Sequence, residues 1–157
     1  MQDIDDIWQT IELQLQEQFP AVFQTLAPPA SEADVARLES RFGAILPSDL
    51  KESLLRHDGQ QPRNTLANLV KGNTLLSVEG ILDVWSVWQE LAADPMYVVH
   101  PSNDTSEEIG TGVVWHPKWL PFTETGSGWH HVIDFGPRSK GVVGQVFHLA
   151  HGEPGEM

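Results

Sequence analysis

The residues of this chain best suited to chemistry are its seven histidines, with no cysteine beside them to offer a thiolate or a sulfur-ligated metal. Two near pairs stand out, His131 with Asp134 and His148 with His151. Imidazole nitrogens and carboxylate oxygens are ordinary zinc ligands, but they must converge on one point. Both pairs lie in segments patterned as strands, where residues three apart point to opposite faces, so neither pair closes on a metal. The adjacent His130 and His131 diverge likewise. No HExxH pattern replaces them, and a Ser/His/Asp triad cannot be read from spacing, since its members need not be neighbours in the chain. The sequence therefore predicts no catalytic residues, no metal centre and no cofactor.

Two further motifs fail on context. Asp134-Phe135-Gly136 spells the DFG triplet of protein kinases, yet the chain has neither their glycine-rich loop nor the strand lysine, and 157 residues are too few to hold them. Gly126-Ser127-Gly128 resembles a phosphate loop, but no Lys-Ser or Lys-Thr follows and the next segment is patterned as a strand. It reads as a hairpin turn.

The elements that must position these residues fall into two groups. In the last third, Pro117 and Pro121 bracket Trp115 and Trp119 and impose an extended or turned backbone. After the glycine turn the side chains alternate, with Trp129, His131, Ile133 and Phe135 on one face and His130, Val132 and Asp134 on the other. Gly136-Pro137 stops that strand, and Gly141 and Gly144 lead into the next.

Earlier, Ile4, Ile7, Trp8, Ile11 and Leu15 recur at helical spacing between Asp3 and Gln18. Phe19-Pro20 ends that helix, and a connector runs to Pro28-Pro29. Ser31 caps a second helix that exits at Gly43. Pro47-Ser48-Asp49 opens a third, with Leu50, Leu54 and Leu55 inward, closed by His57-Asp58-Gly59. The polar stretch Gln60 to Asn73 reads as mobile. Ser77 caps a fourth helix with an inner stripe of Ile81, Val84, Trp85, Trp88 and Leu91, and a long loop fills Ala92 to Gly112, with a short extended piece at Tyr97 to His100. Helices first and strands later predict an α+β fold. At this length the expectation is a single domain over residues 1–157, with 1–30 as N-terminal helix and connector and 31–150 as its core.

Charge narrows the partners. Twenty-two acidic residues against nine basic ones give a formal charge of -13. Binding to nucleic acid or to an anionic membrane needs clustered Lys and Arg, so neither is expected. The N-terminal MQDIDDIWQT is no secretory signal and no apolar run reaches membrane-spanning length, which leaves the cytoplasm as the expected location. Between Lys71 and Lys118 stand seven acidic residues and no Lys or Arg. Such a surface is either a solvated face or one that attracts a basic protein.

The order of these features resembles the SUKH superfamily. The likeness runs from Ser31 to Phe147 through Leu46-Pro47, Asp58-Gly59, Trp115-His116-Pro117, Leu120-Pro121-Phe122, a glycine turn, Asp134 at a strand end, and Gly144-Gln145-Val146. It implies helices packed on a largely antiparallel sheet and a non-catalytic role in binding other proteins. The role it implies first is a bacterial immunity protein that neutralises a basic toxin. The alternatives are a regulatory or scaffold module of the fungal cell-wall regulator type and, from a different class, a small metal-dependent hydrolase. Residues expected to meet a partner are Asp104, Glu107, Glu108, Glu124 and Trp129, where related sequences carry a small polar residue in place of Trp129.

Overall fold

Helix α1 (Ile4–Gln18) begins where the Asp3 side chain accepts a hydrogen bond from Asp5 N–H, with Asp5 and Asp6 at the positive end of the backbone dipole. Its inward residues include the buried Trp8 and Leu15, and the Trp8 indole N–H donates to Ser53 Oγ at 3.0 Å. The structure, a computed structural model, describes residues 3–63, 66–96, 109, 115–150 and 153–155. The chain divides into two compact units, Met1–Glu79 and Gly80–Met157.

In the first unit Phe19 ends α1, and Pro20 starts one further helical turn, α2 (Pro20–Phe23), inside the expected connector. Helix α3 (Glu32–Phe42) carries its Ser31 cap, which accepts from Asp34 N–H at 3.1 Å, and it exits through Gly43 at φ +82°. Helix α4 (Ser48–Arg56) follows Pro47 and buries Leu54, with Leu50 and Leu55 half-buried. Glu12 of α1 reaches α4 through a bidentate pair, accepting from Arg56 Nε and Nη2 at 2.8 and 2.9 Å, and it also meets His57 Nε2 at 2.8 Å. The Arg56 guanidinium, ahead of the bond to His57, holds the Glu12 carboxyl down at about 2.

The four residues after α4, His57-Asp58-Gly59-Gln60, tie this unit together. His57 Nδ1 lies 2.8 Å from Ala27 O. Asp58 Oδ1 accepts from Val78 N–H at 2.7 Å, at the start of the next helix, and burial pushes the Asp58 carboxyl up. Gly59, at φ +69°, is pressed against the backbone of Leu75, Leu76 and Ser77. Gln60 is fully buried. Its Nε2 donates to Thr25 Oγ1 at 2.6 Å and Ala67 O at 2.8 Å, while its Oε1 accepts from the backbone N–H of Leu69 at 3.0 Å and of Leu75 at 3.1 Å. In the stretch after it, expected to be mobile, the described residues Ala67 and Leu69 are thus held by this one side chain, ahead of the short strand β1 (Thr74–Leu75).

Helix α5 (Val78–Ala93) starts at the end of the first unit and runs into the second. The second unit adds β2 (Trp119–Pro121), β3 (Thr123–Glu124), β4 (Trp129–Asp134), β5 (Gln145–Ala150) and β6 (Glu153–Gly155). Strands β2, β4, β5 and β6 form an antiparallel sheet in the order β2-β4-β5-β6, with His131 opposite His148 and Val132 opposite Phe147. The fold is α+β, as the element order predicts.

One face of this sheet packs with α5. Trp115, Trp119, Val132, Phe147 and Leu149 are buried together, with Trp85 and Trp88 laid against them. Trp88 stacks on Trp115 at 5.6 Å, and Trp119 sits edge-on to Trp115 and to Phe147 at 5.8 and 5.0 Å. The expected extended piece at Tyr97 to His100 lies outside the described residues.

On β4 Ile133 is buried on one face, and the other face, which carries His130, Val132 and Asp134, is buried throughout. Their polar groups are tolerated because each is bonded. His130 Nδ1–H donates to Thr123 O at 2.9 Å, which leaves Nε2 to accept the Trp88 indole N–H at 3.0 Å. Asp134 accepts from Gly136 N–H at 2.9 Å and from Gln145 Nε2 at 3.1 Å.

Burial lowers the pKa of His130. A folded-state pKa below the unfolded value of about 6.5 means that the unfolded chain takes up the proton first, so this contribution to stability falls as pH drops below about 6.5 and on through the folded value. His131, lowered mainly by burial and then by His148, acts in the same direction. Glu12 titrates below this window. The histidine contribution to the urea midpoint is therefore expected to fall between pH 7 and pH 5, opposed by the raised Asp58 carboxyl, and His130→Gln to reduce that contribution; an unchanged pH profile in the variant would assign the dependence to other groups.

Candidate functional site

The opposite face of β4 carries the residues most able to meet another molecule. The turn before it is set by Gly126 and Gly128, at φ +79° and +86°, a region that side-chain-bearing residues enter at a cost. The hairpin is closed on either side by Phe122 N–H donating to His131 O at 3.0 Å and Thr125 N–H donating to Trp129 O at 3.1 Å. This puts Trp129 at the strand's first residue, 39 % exposed, as its place beside the turn suggests.

Around Trp129 the rings form a chain across two strands. Trp129 stands edge-on to His148 at 5.2 Å. His148 lies 5.2 Å from its cross-strand partner His131, and Phe122 is 6.0 Å from His131 on the far side. His131 is anchored twice to Thr123, whose Oγ1 accepts from the His131 backbone N–H at 2.9 Å and lies 2.9 Å from its Nδ1. Both imidazoles are only half-buried. The sheet thus brings together one histidine from each of the two pairs considered in the sequence, while His131 and Asp134 lie on opposite faces of β4.

The other residues expected to meet a partner fare differently. Glu124 is 6 % exposed at the end of β3, beside the fully buried Thr123, so its carboxylate is not an open rim charge. Asp104, Glu107 and Glu108 lie outside the described residues. Among the described residues no three His, Cys, Asp or Glu side chains converge as a metal site, and no helix is long and apolar enough to cross a membrane.

A sequence model of the family described as SMI1 / KNR4 family (SUKH-1) matches residues 29–157. The chain belongs to this family. The match takes in the His57-Asp58-Gly59-Gln60 tie, all of α5 and the whole sheet. Among SMI1 / KNR4 relatives, the chain is 29 % identical over 153 residues to the cell wall biosynthesis/cell cycle regulator smi1 of Schizosaccharomyces pombe, covering 91 % of this chain and 30 % of that protein. It is 25 % identical over 171 residues to the glucan synthesis regulatory protein of Neurospora crassa, covering 88 % and 32 %. To the cell wall assembly regulator SMI1 of Saccharomyces cerevisiae it is 21 % identical over 171 residues, covering 88 % and 34 %. The chain spans about a third of the length of these curated relatives. Their names describe regulators, which favours the regulatory alternative over toxin neutralisation and fits a role other than catalysis.

Proposed function

We propose that this chain is a non-catalytic, cytoplasmic regulatory module of the SMI1 / KNR4 type, acting by binding another protein, and that the face carrying Trp129 is its contact surface. The regulator names of its relatives support the role. The observation that carries the surface is the half-exposed indole at the strand end, because large aromatics at interface centres account for much of the affinity when they are buried by a partner. The acidic excess favours a partner with basic groups near its contact patch, and Asp104, Glu107 and Glu108 remain the charges proposed to steer it.

A photo-crosslinking amino acid placed at position 129 in the full chain tests this in cells, with the fully exposed Leu66 as the control position. A discrete protein adduct is expected from 129 and not from 66. With that partner purified, Trp129→Ala should speed dissociation about 30-fold, corresponding to about 2 kcal/mol, while leaving the denaturant midpoint near the parent's. Neutralising Asp104, Glu107 and Glu108 should act on the association rate instead. Parent-like kinetics in every variant would move the contact surface elsewhere.

A further inference from the structure

We propose that His131 and His148 form an exchangeable two-imidazole site for a late first-row divalent cation, with copper(II) bound most tightly. This inference stands apart from the protein-binding reading and does not depend on it.

The geometry meets what such a site requires. The two residues are direct cross-strand partners, so both side chains rise from one face of the sheet. With a metal–nitrogen distance of about 2.0 Å and about 1.2 Å from nitrogen to ring centre, two rings on one metal have centres about 4.5 Å apart at the right angles copper(II) prefers and about 5.2 Å apart at tetrahedral angles. The observed separation is 5.2 Å, with the ring planes inclined at 59°. Histidines that hold metals usually donate their second ring N–H to a neighbouring acceptor, which fixes the tautomer and turns the other nitrogen toward the metal. Thr123 Oγ1, 2.9 Å from His131 Nδ1, is placed to accept that N–H and leave Nε2 as the ligand. His130 shows the contrast, because both its nitrogens are used inside the core.

Imidazole pairs favour copper, nickel and zinc over magnesium and calcium, and copper(II) ranks highest among divalent ions at nitrogen sites. Among the described residues two side chains reach the point, so the coordination sphere is left open to water and the metal is expected to exchange readily. A chain purified in a chelator is expected to hold no stoichiometric metal and to take one up when it is added.

Titration of the full chain with copper(II) chloride near pH 7, followed by calorimetry and electron paramagnetic resonance, tests the site. One ion per chain is expected in the tightest class, with hyperfine structure from two nitrogens. His131→Gln and His148→Gln should each weaken that class at least tenfold, and magnesium chloride should give no binding. The Trp129 ring, edge-on to His148 at 5.2 Å, should be quenched by copper, and Trp129→Phe should remove that share of the quenching while the binding persists. A tightest class unaffected by His148→Gln, a change that leaves the Thr123 anchor intact, would overturn the proposal. So would the absence of a one-to-one class in the parent.

Discussion

Gly59→Ala is expected to cost at least about 3 kcal/mol, a large fraction of the 5–15 kcal/mol that holds a typical domain folded. Two effects add at this position. The backbone sits at φ +69°, where a residue with a Cβ is strained by about 1–3 kcal/mol. The added carbon would also fall 2.5 Å from Leu76 C and 2.7 Å from Leu75 O, with Ser77 N nearer still, and all of these are backbone atoms that cannot swing aside. Gly43 provides the matched control. Its φ of +82° is similarly left-handed, but a Cβ there meets nothing within 4 Å. Gly43→Ala should therefore cost about 1 kcal/mol, from conformation alone. Urea unfolding of both variants decides the matter, and equal losses would show that the close approach at Gly59 contributes nothing.

Trp119→Ala should lose a further amount of similar size, about 3–5 kcal/mol, as expected when a buried aromatic is emptied. The ring is 1 % exposed, meets Trp115 and Phe147 edge-on, and stands on β2 opposite Asp134. No neighbour can fill the space, because Trp115 is itself held by its stack on Trp88. Trp119→Phe should recover part of the loss by keeping an aromatic ring in place. A midpoint for Trp119→Ala close to the parent's would contradict the core described here.

How far the sequence anticipated this can be judged from single residues. Ser31, Gly43, Pro47 and the apolar spacing of α1 act locally, within one or two turns of helix, and all were legible. The alternation of β4 was legible too, but hydrophobicity alone would have kept His130 and Asp134 out of the core. Those two are accepted inside because Trp88, Thr123, Gly136 and Gln145 satisfy them, and such partners cannot be read from spacing. The pairing of His131 with His148 was hidden for a related reason, since it depends on the register between two strands and not on distance along either. A hairpin drawn through the glycines at 141 and 144 would have been the signal to look for it. Gln60 gave no sign, because a lone glutamine in a polar stretch has no periodicity to mark it as core.

The bonds of Gln60 also say which changes the segment beyond it can absorb. Within that segment the glutamine grips main-chain groups, Ala67 O and the N–H of Leu69 and Leu75, and these are present whatever side chains the residues carry. Leu66, fully exposed, contributes nothing to the grip. Substitutions at the outward side chains of the described residues in this stretch should therefore leave these bonds intact, whereas a change at Gln60 itself removes them all at once.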